Sequence, residues 1–84
     1  MTKLFVDVFL PGSGKTYEFQ LDGSMLVGQA TIQIINNICE TENNTVAIDA
    51  SAAVLSDANI SSRLNAGLTL QAAGVKSGHK LILV

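Results

Sequence analysis

The chain has 84 residues, of which 48% are apolar and 14% are charged, and its formal net charge is −2. This length suits one domain built around a single core. The high apolar content excludes a disordered chain, which needs low hydrophobicity and high net charge. Five basic residues spread over the whole sequence form no stripe for phosphate groups, which excludes nucleic acid as a partner.

The N-terminal sequence does not resemble a signal peptide, because its apolar run is broken at Asp7 and stops at Pro11. No apolar stretch reaches the roughly 18 residues that a membrane span requires, so we expect no direct membrane insertion. Cys39 is the only cysteine, which rules out an internal disulfide. These features together predict a cytoplasmic protein.

Residues 3–10 and 16–21 predict two strands, because apolar and polar residues alternate in both. In the first strand, the even-numbered positions carry Leu or Val and would face the core. The odd-numbered positions, Phe5 and Phe9 among them, would face the other way. The glycine-rich stretch 11–15 predicts a hairpin turn between the strands.

Residues 25–41 predict a helix, with Ser24 placed to cap its start. The β-branched residues in this stretch favour a strand, but the stretch is too long for an ordinary strand without a turn signal. Asn43 or Asn44 could end the helix in the left-handed conformation. Five residues recur at helical spacing and would form one buried stripe: Val27, Thr31, Ile34, Ile35 and Ile38.

The remaining sequence predicts short elements. Residues 69–75 predict one helical turn that Thr69 would cap and Gly74 would end. Residues 56–68 form a connection in which no element is assigned. Three segments predict strands, the second of them a brief edge strand: 45–49, 53–55 and 79–84.

This order of elements predicts an α+β fold and a single domain over residues 1–84. One main helix would pack on one face of a mixed sheet of four to five strands and bury one core. The first and last strands would run parallel and adjacent at the centre of the sheet. The opposite face of the sheet would stay open.

The order and spacing resemble ubiquitin, and the C-terminal segment 68–83 (LTLQAAGVKSGHKLIL) carries most of the resemblance. Ubiquitin-like proteins share its Thr-Leu pair, the aliphatic residue that follows, the polar turn and the alternating aliphatic strand. The resemblance implies a ubiquitin-like β-grasp fold. The stretch GVKSGHKLIL is most similar to the small YukD-type proteins that accompany bacterial type VII secretion systems. That resemblance implies a cytoplasmic accessory protein that docks on membrane-anchored components of the secretion machine.

The stretch 11–16 ends in Gly-Lys-Thr, as a phosphate-binding loop does. That loop needs a further glycine where this chain has Phe9, and it opens a helix whose N-terminal amides bind the phosphates. Here the residues after Lys15 alternate as in a strand. We therefore expect a hairpin turn and no bound nucleotide.

Cys39 and His79 are the candidate nucleophile and base, but they are far apart in sequence and no third residue that would orient them is evident. Cys39 fits a small buried residue near the helix end, and His79 fits a strand edge. One cysteine and one histidine do not make a metal cluster. The scattered carboxylates, Asp57 and Glu42 among them, fit a solvated surface. We expect a non-enzymatic protein without metal or other cofactor.

Ubiquitin and the bacterial sulfur carriers of this fold use a flexible terminal Gly-Gly that an activating enzyme can reach. This chain ends in residues 81–84 (LILV), inside the predicted last strand. If Val84 is the true end, the protein is neither a conjugated modifier nor a sulfur donor. The alternatives to a secretion accessory are a carrier-like protein that lacks its Gly-Gly and a general adaptor domain.

The open face of the sheet is the predicted site for a protein partner. Apolar side chains that point away from the core would collect there, and a contiguous exposed apolar patch usually marks an interaction site. A homodimer mate or the 56–68 connection could cover the same side chains instead. The predicted members of the patch are Phe5, Phe9, Ala47, Ile82 and Val84.

Overall fold

The computed structural model describes residues 3–42 and 53–84. They form one helix and five strands: β1 Lys3–Leu10, β2 Lys15–Asp22, α1 Val27–Thr41, β3 Leu55–Asp57, β4 Ser62–Arg63 and β5 Lys80–Leu83. The strands make one sheet in the order β2-β1-β5-β3-β4. β1 and β5 pair in parallel, and the other neighbouring strands pair antiparallel. The predicted α+β architecture, with the first and last strands parallel and adjacent, is confirmed.

A tight turn joins β1 to β2. Eight residues of each strand pair in one register, which ends with Leu10 opposite Lys15. In the turn, the N–H groups of Ser13 and Gly14 both donate to the Leu10 carbonyl. Gly14 has φ of +71°, a conformation that glycine adopts at little cost. The predicted hairpin turn is therefore confirmed, and β2 follows it where a phosphate-binding loop would open a helix.

Helix α1 begins at Val27, and the prediction that Ser24 caps it is wrong. The N–H and hydroxyl of Ser24 donate instead to Oδ1 of Asp22, at 2.9 and 2.8 Å. Leu26 holds the extended cap position, and its own N–H lies 3.4 Å from the side-chain oxygen of Gln29. Leu26 has no polar side-chain atom, so no side chain caps the first amides from that position.

Backbone carbonyls of the long connection take that role. The N–H of Val27 donates to the Leu68 carbonyl at 2.8 Å, and the N–H of Gly28 donates to the Ala66 carbonyl at 3.2 Å. The first amides of a helix lack partners inside the helix, so these two bonds satisfy groups that would otherwise be unpaired. They also tie the connection to the start of α1.

All five residues of the predicted helical stripe are buried, together with Ala30. The helix ends at Thr41, and the N–H of Glu42 donates back to the Ile38 carbonyl. The predicted asparagine cap lies outside the described residues. No helix in the described part of the chain is both long and apolar enough to cross a membrane.

The strand that follows α1 differs from its prediction. The strand predicted at 45–49 lies outside the described residues. The brief edge strand predicted at 53–55 forms instead at Leu55–Asp57, as β3, and it lies between β5 and β4. The prediction placed it at the edge because three residues show too little alternation to reveal a partner on each side.

The edge beyond β3 is the two-residue strand β4, Ser62–Arg63, which falls inside the unassigned 56–68 connection. Ser61 precedes it with φ of +51°, a left-handed conformation that reverses the chain toward β3. Two paired residues carry no periodic pattern, so sequence analysis could not assign this strand.

The predicted helical turn at 69–75 is confirmed by its hydrogen bonds. Oγ1 of Thr69 accepts from the N–H of Ala72 at 3.0 Å, which is the predicted cap. Gly74 has φ of +95° and lets the N–H of Val75 donate to the Leu70 carbonyl at 3.0 Å. This is the Schellman arrangement that commonly ends a helix.

The core lies between α1 and the inward face of the sheet. Burying a large aliphatic side chain contributes roughly 1.5–3 kcal/mol, so a continuous cluster of them stabilises a domain of this size. Residues of the helix, the strands and the 69–75 turn form one cluster, with Phe19 partly buried at its margin: Val27, Ile34, Ile38, Val6, Val8, Phe19, Leu70, Leu81 and Leu83.

Candidate protein-binding face of the sheet

The sheet face that points away from α1 is called here the outer face. Side chains that lie directly opposite one another on neighbouring strands point to the same face of a sheet. The strand registers therefore place the outward residues in rows across the strands. The three rows are Gln20–Phe5, Glu18–Asp7–Lys80 and Thr16–Phe9–Ile82–Ser56–Arg63.

Phe9 and Ile82 are direct neighbours on this face, and both are partly buried. Nζ of Lys80 lies over the Phe9 ring, 5.4 Å from its centroid, within the range of a cation–π contact. Val84 follows Ile82 on the same face and is 73% exposed. Its backbone exchanges two hydrogen bonds with Val54, at 2.9 and 3.0 Å. Phe9, Ile82 and Val84 thus form an apolar strip, and Val54, which was not among the predicted residues, extends it.

Phe5 stands apart from this strip, because Asp7 lies between Phe5 and Phe9 on the outward side of β1. Phe5 is 59% exposed. Its backbone N–H donates to Oγ of Ser77 at 3.0 Å, and its carbonyl accepts from the N–H of Gly78 at 2.7 Å. Gly78 has φ of +90°, and no described atom lies within 4 Å of the place where a Cβ would stand.

The structure therefore places four of the five predicted patch residues on the outer face. Phe9, Ile82 and Val84 form the apolar strip, and Phe5 lies on the same face beyond Asp7. Ala47 lies outside the described residues. The role of these residues in binding stays a prediction.

His79 forms a contact that sequence analysis missed. Its Nδ1 lies 2.7 Å from Oδ2 of Asp57, whose side chain is completely buried. Oδ1 of Asp57 accepts from the N–H of Asn59 at 2.9 Å. Because Nδ1 donates to the carboxylate, it cannot also accept from the N–H of Lys76, 3.4 Å away. The prediction of a solvated surface is wrong for Asp57, which faces the core opposite Leu81.

Glu42 is also bonded, in a cluster that joins the end of α1 to the start of β2. Its carboxylate accepts from the Tyr17 hydroxyl at 2.8 Å and from Nζ of Lys15 at 3.2 Å. The hydrogen bond from Tyr17, followed by the bond and charge of Lys15, lowers the pKa of Glu42 below its usual value. Desolvation, with the bond to Glu42 second, raises the pKa of Tyr17. Lys15 thus engages a carboxylate of this chain, and the absence of nucleotide binding stays a prediction.

Cys39 lies on α1 and packs partly buried against the core. Within residues 3–42 and 53–84, no group of three or more His, Cys, Asp and Glu side chains could hold a metal ion. The ring nitrogen Nδ1 of His79 is engaged by Asp57, 22 residues away in sequence. This pair has the geometry of a structural contact between the residue that precedes β5 and the last residue of β3.

No family model and no curated protein matches the sequence. Solved structures do match. An N-terminal ubiquitin-like domain determined in solution has a TM-score of 0.76 at 21% identity, over 98% of this chain and 73% of its own. The ubiquitin of Caldiarchaeum subterraneum has a TM-score of 0.70 at 18% identity, over 98% of this chain and 91% of its own.

A chain in a complex of toluene 4-monooxygenase with an inhibitor also matches, with a TM-score of 0.79 at 11% identity over 99% of this chain and 98% of its own. Identities this low show a shared fold and carry no activity from one protein to another. The fold and these neighbours define the class: the chain has the ubiquitin-like β-grasp fold, as its C-terminal segment predicted.

Proposed function

We propose that this chain is a non-enzymatic ubiquitin-like module that binds a protein partner on the outer face of its sheet. The observation that supports this most directly is the apolar strip of Phe9, Ile82, Val84 and Val54. Helix α1 packs against the opposite face, so within the described residues the strip has one side open to solvent.

The energetics favour a partner on this strip. Each large apolar side chain left in water forgoes roughly 1.5–3 kcal/mol of burial. Isolated exposed apolar residues are common, whereas neighbouring ones usually mark a contact surface. Phe9 and Ile82 are held side by side by the register of two central strands, and Val84 is held by its backbone pairing with Val54. The strip is thus built on a rigid sheet and needs little ordering when it binds.

The resemblance of the C-terminal segment to YukD-type proteins supports a specific partner. We propose a cytoplasmic role as an accessory of a type VII secretion machine, in contact with one of its membrane-anchored components. The GVKSGHKLIL stretch that carries the resemblance includes the turn beside Phe5 and the strand that bears Ile82. The residues that support the secretion assignment therefore adjoin the proposed binding face.

The test is capture of secretion-machine proteins with the wild type and with a Phe9→Ser, Ile82→Ser double variant. A matched control is Ile32→Ser, which removes an apolar side chain that is 54% exposed on α1. We expect the double variant to lose the partner and Ile32→Ser to retain it. Denaturant midpoints of all three proteins show whether each is folded.

A folded double variant that captures the same proteins as the wild type would rule out the outer face as the binding surface. If the outer face is required but the captured protein belongs to no secretion machine, the binding module stands and the secretion role is wrong.

A further inference from the structure

The outer face carries a second feature beside the apolar strip. A groove of about 710 Å³ lies next to Phe5 on the outer face. The outward-facing residues that line it include Asp7, Glu18 and Gln20, together with the Ser77–Gly78 turn. Its chemistry differs from that of the strip, because it combines an exposed aromatic ring with two carboxylates.

Asp7 and Glu18 lie directly opposite each other on β1 and β2, and both are exposed. Like charges in that position repel and destabilise a sheet. Lys80 is the neighbour of Asp7 on β5, but its Nζ lies over the ring of Phe9. Within the described residues, the carboxylates that have a basic side chain within 4 Å are Glu42, beside Lys15, and Asp57, beside His79. The described part of the chain therefore places no cation within 4 Å of either groove carboxylate.

We propose that this groove receives an arginine side chain of the partner protein, with the guanidinium bonded to Asp7 and Glu18 and its plane against the Phe5 ring. This inference rests on the proposed function. Charge complementarity identifies the occupant: two carboxylates and an aromatic ring call for a cation that can bond and stack at once. Arginine does both, because its planar fork carries five donors and stacks on aromatic faces, whereas lysine is a compact, strongly hydrated charge.

The spacing of the face also constrains the partner's sequence. Asp7 and Phe9 are two residues apart on β1, which corresponds to about 7 Å along the strand. In an extended partner segment, side chains two positions apart are separated by about the same distance and point to the same side. An arginine at the groove thus places an apolar residue two positions away onto the Phe9–Ile82 strip. The expected recognition element is an arginine and an apolar residue separated by one residue.

A phage-displayed library of random peptides, selected on the immobilised wild-type protein, tests this. We expect enrichment of arginine with an apolar residue two positions away. Affinity is then measured by fluorescence anisotropy for a selected peptide and for its citrulline analogue, which keeps the shape and removes the charge. Citrulline should weaken binding by about tenfold or more, as should the Asp7→Asn, Glu18→Gln variant. Glu40→Gln, a neutralised exposed carboxylate on α1, is the matched control and should bind as the wild type does.

The Asp7→Asn, Glu18→Gln variant relieves a like-charge pair, so its denaturant midpoint should equal or exceed that of the wild type. Weaker binding by this variant would then result from the lost contact with the peptide's arginine and not from unfolding.

Three results would overturn the inference. The selected peptides could lack arginine, require Phe9 and Ile82, and bind equally well after Asp7 and Glu18 are neutralised. That result would support the binding module and refute the arginine site. If the library yields no peptide whose binding depends on this face, both the arginine site and the proposed binding module are refuted. Sedimentation showing a wild-type dimer that Arg63→Gln dissociates would assign the face to a second copy of this chain.

Discussion

Replacing His79 with alanine should destabilise the protein strongly, because it leaves the carboxylate of Asp57 buried without its partner. Asp57 is completely buried, and after the substitution it would keep the N–H of Asn59 as a hydrogen-bond donor. Leaving a buried polar group without its hydrogen-bond partner costs about 1–3 kcal/mol, and more when the group is charged. The His79 side chain is 18% exposed, so water can reach part of the vacated space and soften the loss. We therefore expect a cost of about 2–4 kcal/mol, a large share of the ~5–15 kcal/mol that stabilises a typical domain.

Urea unfolding of a double-mutant cycle measures this cost. His79→Ala, Asp57→Ala and the double variant are compared with the wild type, and Lys76→Ala serves as a surface control in the same turn. Once the carboxylate is gone, loss of the imidazole should cost much less, so the two substitutions should be coupled by about 2 kcal/mol or more. A cost of His79→Ala below about 1 kcal/mol, or an equal cost in both backgrounds, would refute the reasoning.

Three further outcomes follow from the structure. Ile34→Ala should cost about 2–5 kcal/mol in denaturant unfolding, because Ile34 is fully buried. Ile32→Ala should change stability by no more than about 0.5 kcal/mol. The reverse order would mean that the phase of the helix is wrong. The pKa of Glu42 is lower in the folded protein than in the unfolded chain. The stability that its carboxylate contributes is therefore present above the ordinary carboxyl pKa and is lost as pH falls through the pKa of the folded protein. The wild type should therefore lose more stability on acidification than Glu42→Gln, and parallel pH curves would contradict this. Gly74→Ala forces a side chain into φ of +95° and should cost about 1–2 kcal/mol, whereas Gly12→Ala meets no atom within 4 Å and should be near neutral; thermal unfolding that ranks the two equally would count against the turn geometry.

The parts of the fold that could be predicted from sequence are those whose signal is local. The alternation in β1 and the helical stripe of α1 each repeat over enough residues to identify both the element and its buried side. The turn that Thr69 caps and Gly74 ends also depends on residues close together in the chain. In contrast, Ser24 failed as a helix cap because a second acceptor, Asp22, lies two residues away and takes its hydroxyl.

Long-range pairing set the limit for the candidate site. Phe9 and Ile82 could be predicted to be neighbours, because the fold class places the first and last strands side by side. The strip's extension to Val54 depends on the register between β3 and β5, and no repeat in a three-residue strand indicates that register. Asp57 was assigned to the surface because its hydrogen-bond partner, His79, is 22 residues away in sequence.

The buried pair and the outer face are linked through the β3–β5 register. Asp57 and Leu81 face the core as neighbours, which sends Ser56 and Ile82 to the outer face. A slip of β5 by one residue would turn each of its side chains to the opposite face of the sheet. Such a slip would also move His79 away from Asp57 and leave the buried carboxylate without the imidazole, which is costly. We infer that the pair helps to hold Ile82 outward, so substitutions at His79 should weaken partner binding only to the extent that they unfold or shift this pair of strands.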